Sequence, residues 1–165
     1  MTLKQFSKNV KNLSKKEMDG ICEKILREMA LRFLTEVIRL TPVARSRKGY
    51  TGGTLRRGWV LNKPQRRLTN KTKPTPQEIE RFVNTLKFKK VGKYYTITVT
   101  NPIEYAKFVN YGHRKRGGKG WVQGYHFVEK AEDYINKNQN KIFKKIFEEK
   151  LKRRLGLWMK LLTAY

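Results

Sequence analysis

Cysteine, histidine and acid are scarce in this 165-residue sequence. Cys22 is the only cysteine, so a disulfide framework and a thiolate zinc cluster are both excluded within one chain. His113 and His126 are the only histidines. A metal or nuclease centre would have to recruit them with Glu104, Glu129 or Asp133. No H-x-x-x-H or paired-carboxylate spacing supports that, and structural roles are expected for both. No Ser/His/Asp or Cys/His grouping suggests a nucleophile, because Cys22 falls on the apolar side of a helical pattern. Gly117-Gly118-Lys119-Gly120 lacks the spacing and the following Ser/Thr of a Walker loop. The chain therefore reads as non-catalytic and without a cofactor. No apolar run approaches the roughly 20 residues of a membrane helix, so no membrane partner is expected. The first residues, MTLKQFSKNVKNLSKK, lack the apolar centre of a signal peptide, so the chain is read as intracellular at synthesis. No internal repeat is visible.

The scarcity of acid is the most informative shortage. Lys+Arg number 39 against Asp+Glu 13, a formal charge of +26. Such an excess speaks of partners rather than of fold: nucleic acid, an anionic surface, or acidic neighbours in an assembly. An apolar fraction of 38% is enough for a small core, and 12% aromatic residues argue against general disorder. One domain over 1–165 is expected.

Along the chain, residues 1–13 read as a short helix or an N-terminal arm. Ser14-Lys15-Lys16-Glu17 matches a capping box. Met18, Ile21, Cys22, Ile25, Met29, Phe33, Val37 and Leu40 then recur at spacings of three and four, a long amphipathic helix stopped by Thr41-Pro42. Glu23 with Arg27, and Glu28 with Arg32, are i,i+4 pairs on its polar side. Arg45 to Gly53 is a basic, glycine-rich loop. Leu55, Trp59 and Leu61 share a parity, which predicts a strand over Leu55–Leu61 with Gly58 at a bulge. Residues 63–76 read as a flexible insertion. Thr75-Pro76-Gln77-Glu78 opens a short helix to about Val83. Leu86 and Phe88 alternate with lysines, Val91-Gly92-Lys93 turns the chain, and Tyr95, Ile97 and Val99 alternate with threonines, which predicts a hairpin. Asn101-Pro102 ends that strand. Ile103 to about Asn110 reads as two helical turns with Gly112 just past their end. His113 to Gly124 carries no apolar pattern and is expected to be a mobile basic loop. A second long helical pattern starts at Phe127. Asn136–Asn140 either lifts it from the core or kinks it, and residues 137–165 read as a helical extension. Leu157, Trp158, Met159, Leu161 and Leu162 form an apolar tail that folds back or docks on a neighbour. The fold class is α+β: a small antiparallel sheet packed against a long N-terminal and a long C-terminal helix, with extended loops.

Two basic groups stand out as candidate contacts for DNA or for another subunit. One comprises Arg45, Arg47, Lys48, Arg56 and Arg57. The other comprises Arg114, Lys115, Arg116 and Lys119, with Trp121 beside them as an exposed aromatic anchor. Guanidinium forks and loop amides suit phosphate oxygens, giving sequence-blind contacts that weaken with salt. The blander alternative is a solvated face, or contact with acidic protein neighbours.

One set of motifs resembles a known family. The helix ending in Thr41-Pro42-Val43 is followed by Gly52-Gly53-Thr54-Leu55-Arg56 and Trp59. Val99-Thr100-Asn101-Pro102-Ile103-Glu104-Tyr105-Ala106 comes next, then Val109, Tyr111-Gly112-His113-Arg114, Phe127 and Ala131. In that order they resemble the small tail-component proteins of tailed bacteriophages, the tail-completion or head–tail joining family. The resemblance implies no enzymatic activity and a homo-oligomeric ring, usually of six copies. It implies residence in the virion at the neck, the head-proximal end of the tail, between head-closure or connector proteins and tail proteins. The Lys63–Pro76 insertion and the basic extension after Gln139 depart from the pattern. DNA passing through the lumen of such a ring is an inference from the charge. A free basic nucleic-acid-binding protein is the alternative reading.

Overall fold

The computed structural model describes residues 14–44, 52–61 and 73–162, with side chains through Arg153. Helix α1 (Lys15–Leu40) begins at the expected capping box. Glu17 N–H donates to Ser14 Oγ at 3.3 Å, and Ser14 N–H donates to a Glu17 carboxylate oxygen at 2.8 Å. The helix buries Ile21, Ile25, Ala30, Leu34, Val37 and Ile38. Two partners explain why this stripe drifts from the one read in the sequence. Ile21 and Ile25 pack on Ile142, Ile146, Phe147 and Leu151 of the last helix, α5 (Phe127–Leu162). Ala30, Leu34, Val37 and Ile38 pack on Phe127 and Ala131 of α5, and on Leu55, Trp59, Ile79, Phe82, Val83 and Ile103. Rising numbers in α1 meet falling numbers in α5, so the two rods run antiparallel. At 1.5 Å per residue they are roughly 39 and 54 Å long.

Between them the chain adds small elements. Helix α2 (Thr54–Gly58) stands where a strand was expected. Leu55, Gly58 and Trp59 are buried at helical spacing, and over seven residues that pattern cannot be told from alternation. Helix α3 (Pro76–Thr85) starts at the expected Thr75 cap with Pro76 at its first position, and Glu78 completes a capping box there. Arg27 of α1 pairs with Glu23 and also donates to the Val83 carbonyl at 2.6 Å and the Leu86 carbonyl at 3.3 Å. It thereby satisfies orphan acceptors at the end of α3.

Strands β1 (Phe88–Val91) and β2 (Tyr94–Ile97) form the expected antiparallel hairpin. The ladder ends at Ile97, short of Val99, because its partner strand starts at Phe88. The helical turns expected over Ile103–Asn110 shift to helix α4 (Ala106–Tyr111). Asn101 Oδ1 accepts the Ile103 N–H at 3.1 Å and holds the preceding residues in a turn. The segment expected to be a mobile loop is instead a second hairpin, β3 (Gly112–Arg114) with β4 (Trp121–Gln123). The strands thus form two separate pairs rather than one sheet, and the fold is α+β. Helix α5 runs without interruption through Asn136–Asn140 and does not leave the core there, since Ile142, Ile146, Phe147 and Leu151 beyond it pack on α1. Residues 1–13 and most of the 63–76 insertion, to residue 72, lie outside the described residues.

Candidate functional site

The motif residues of the resemblance meet at one junction. Trp59 is buried, and its indole N–H donates to Thr41 Oγ1 at 2.9 Å. The same hydroxyl donates to the Val37 carbonyl at 2.6 Å, so one threonine ties the end of α1 to α2. Arg56 donates to the Thr41 carbonyl from Nε and Nη2 at 3.0 and 2.6 Å. Asn101 Nδ2 donates to the Leu55 carbonyl at 2.9 Å. Its side chain lies directly against Gly58, where a Cβ would collide with it. The junction therefore fixes α1, α2 and the Asn101 turn as one unit.

That unit positions α4 and the β3–β4 hairpin. Tyr125 N–H donates to the Val109 carbonyl at 3.0 Å and His126 N–H to the Asn110 carbonyl at 2.9 Å. Asn110 is buried; its Oδ1 accepts the Val128 N–H at 3.1 Å, and its Nδ2 donates to both Glu129 oxygens at 3.0 and 2.9 Å. This side chain caps the start of α5 and roots the hairpin there. Gly112 has φ 87°, and its Cα lies under the Val122 carbonyl and the Trp121 indole. A side chain there would meet both strain and backbone.

Beyond the root, the hairpin stands in solvent. Arg114, Lys115, Arg116 and Lys119 are all exposed, and Trp121 is 54% exposed. The register pairs Arg114 with Trp121 and His113 with Val122, so a basic–aromatic face backs onto a second open face. Lys115 N–H donates to the Gly120 carbonyl at 3.1 Å and closes the tip. No acidic residue lies between His113 and Tyr125. Tyr105, Phe108, Tyr111 and Tyr125 are exposed around the root. They escaped notice in the sequence because a short helix with its aromatics facing outward has the composition of a buried one.

Arg56 and Arg57 turn inward. Burial pushes the Arg56 guanidinium below its ordinary value. Arg57 is buried against Glu78 at 3.3 Å, with Nε and Nη1 unpartnered. Arg45, Arg47 and Lys48 lie outside the described residues, but the ends of their loop do not. Gly52 packs directly on Ala44. A groove of about 260 Å³ there is lined by Pro42, Val43, Gly53, Leu55, Tyr105, Val109 and Tyr125. The chain thus leaves and re-enters this loop beside the root of the hairpin. The backbone of α5 reaches Leu162, while the side chains of Leu157, Trp158, Met159, Leu161 and Leu162 lie outside the described residues.

Asp19, Lys90 and Tyr95 form a cluster that only the hairpin register reveals. Lys90 Nζ donates to Asp19 at 2.9 Å and to the Tyr95 hydroxyl at 2.7 Å, and that hydroxyl donates to Asp19. The Tyr95 bond first, then Lys90, holds the Asp19 carboxyl below its usual range. Among the described residues no group of three or more His, Cys, Asp and Glu side chains could hold a metal ion. Nor is any described helix long and apolar enough to cross a membrane.

A family model described as "Bacteriophage HK97-gp10, putative tail-component" matches residues 4–112. The match includes the Thr41–Trp59–Asn101 junction and ends at Gly112, where the hairpin begins. No curated protein and no solved structure matches the chain.

Proposed function

The chain belongs to the HK97-gp10-like family of bacteriophage tail components, and from that premise we propose that it is a non-catalytic subunit of a neck or tail-completion ring joining tail to head. The family makes it a tail-related structural protein of phage particles. The observation that carries the finer reading is the β3–β4 hairpin, rooted rigidly in the fold yet open to solvent on both faces. A two-stranded hairpin with strands of three residues is marginal alone, so such an element is built to be covered by a neighbour. The ring contains identical copies, six in the usual arrangement, set between head-closure or connector proteins and tail proteins. The Arg45–Lys48 loop and the hairpin tip carry the contacts, with DNA in the lumen held by salt-sensitive, non-specific attraction.

Light scattering of the chain mixed with its tail and neck partners tests this reading, together with a density map of assembled particles. Multiple copies at the head-proximal end are the expected result. A chain that stays monomeric with every partner and is absent from particles would remove it. The run of four cations on the hairpin with no acid among them favours one second reading, a free nucleic-acid-binding protein. Tight binding of duplex DNA by the monomer, falling steeply with salt, would select that reading.

A further inference from the structure

A second open surface lies between α1, α5 and the end of β2. Leu26, Met29 and Phe33 of α1, Ile97 and Val99, and Glu132 and Ile135 of α5 are among the residues lining an open groove of about 450 Å³. Its floor is apolar. Glu132 is the only ionisable side chain in the lining, and it is acidic on a chain of charge +26. Asp133 stands exposed next to it. The wall formed by Ile97 and Val99 is continuous with β2, which among the described residues pairs only with β1. An apolar trough with an acidic rim selects an occupant that is apolar in the middle and basic at its margin.

We propose that this groove receives the β3–β4 hairpin of a second copy of the chain. Trp121 fills the apolar floor, and Arg114 on the same face of the hairpin, with Lys115 and Arg116 at its tip, faces Glu132 and Asp133. The hairpin supplies what the groove lacks: exposed apolar side chains flanked by cations, on an element open on both faces. Charge complementarity singles out this pairing, because most other faces of two such basic chains repel each other. The contact joins two different surfaces, so it is heterologous and propagates head to tail until it closes. It rests on the ring reading for the closure and extends it by naming the two faces.

Cross-linking in assembled particles tests the contact. The full chain carrying Cys22→Ser, Gln123→Cys and Ile135→Cys should give a ladder of dimers, trimers and larger species on mild oxidation, because Gln123 shares the hairpin face of Trp121. Neither single-cysteine chain should give one. A cross-linked dimer from a single variant would mean a symmetric contact and overturn the proposal. Several copies per particle with no ladder would overturn the hairpin–groove contact while leaving the ring intact. A chain that never enters particles in more than one copy overturns both. Charge exchange gives an independent reading. Arg114→Glu with Lys115→Glu and Arg116→Glu in one chain, or Glu132→Lys with Asp133→Lys in another, should each reduce incorporation roughly a hundredfold. Co-expressing the two should restore it, since each supplies the complement the other lost. Failure of the mixture, with both chains folded by circular dichroism, would overturn the contact.

Discussion

The two hairpins of this protein are alike in size and opposite in how they are held. β1–β2 lies with one face on α1. Phe88 stacks on Tyr95 at 5.5 Å, Ile97 packs against the main core, and Lys90 and Tyr95 reach Asp19. Its outer face, with Tyr94 77% and Val91 63% exposed, is the only one left open. β3–β4 has no such seat. It is fixed at its base by Asn110, Gly112 and Gly124, and everything beyond projects. A hairpin seated by a face belongs to its own core. A hairpin clamped at one end is an arm, whose orientation is set by the fold and whose surface is left for a partner.

The sharpest way to break this contrast is at the clamp. Gly112→Ala places a methyl group against the Val122 carbonyl at a left-handed φ, and should cost about 3 kcal/mol, read as a lowered midpoint in urea. Its effect should be confined to the arm: amides of Gly112–Gln123 should exchange faster while those of Phe88–Ile97 keep their protection. Asn110→Ala strands the Val128 N–H and loses both bonds to Glu129, costing about 2 kcal/mol in the same measurement. Trp59→Phe keeps the ring in the core but loses the bond to Thr41, a cost of about 1 kcal/mol that both hairpins share.

Of the two hairpins, the seated one should respond to acid. The Asp19 pKa is depressed, so its contribution is complete above the ordinary carboxylate range and is lost as pH falls through its lowered value. Protection of the Tyr94–Ile97 amides, relative to the unstructured exchange rate at the same pH, should therefore fall in acid, and Asp19→Asn should remove that pH dependence. Least of all, Arg114→Ala with Lys115→Ala and Arg116→Ala should leave stability within about 0.5 kcal/mol, because these side chains support nothing in the subunit. A large loss of stability in that variant would mean that the arm is not free.

What could be read in advance follows the same division. The Ser14–Glu17 capping box, the Thr75 cap, the Glu23–Arg27 and Glu28–Arg32 pairs and the β1–β2 turn are local signals, and each stands as expected. Leu55–Leu61 misled because a five-residue helix and a strand share the same spacing of Leu55 and Trp59. The arm was hidden for a different reason. Strands of three residues are too short to show a period, and their geometry depends on Asn110, whose partners lie 18 and 19 residues away. Arg56 and Arg57 looked like their exposed neighbours in composition, and only packing shows that they face inward. The polar run Asn136–Asn140 did not break α5, because packing of α1 on either side of it, at Ala131 and at Ile142, holds the helix in register.

Glu78 has two duties. Its carboxylate closes the Thr75 cap of α3 and is also the carboxylate that faces the buried Arg57. The Thr75 backbone bond first, with Arg57 contributing, keeps that carboxyl below its usual range. A single proton there would unfasten the helix start and isolate an interior cation in the same event. Acid thereby weakens the α3 cap and the α2–α3 ion pair together, through one carboxylate.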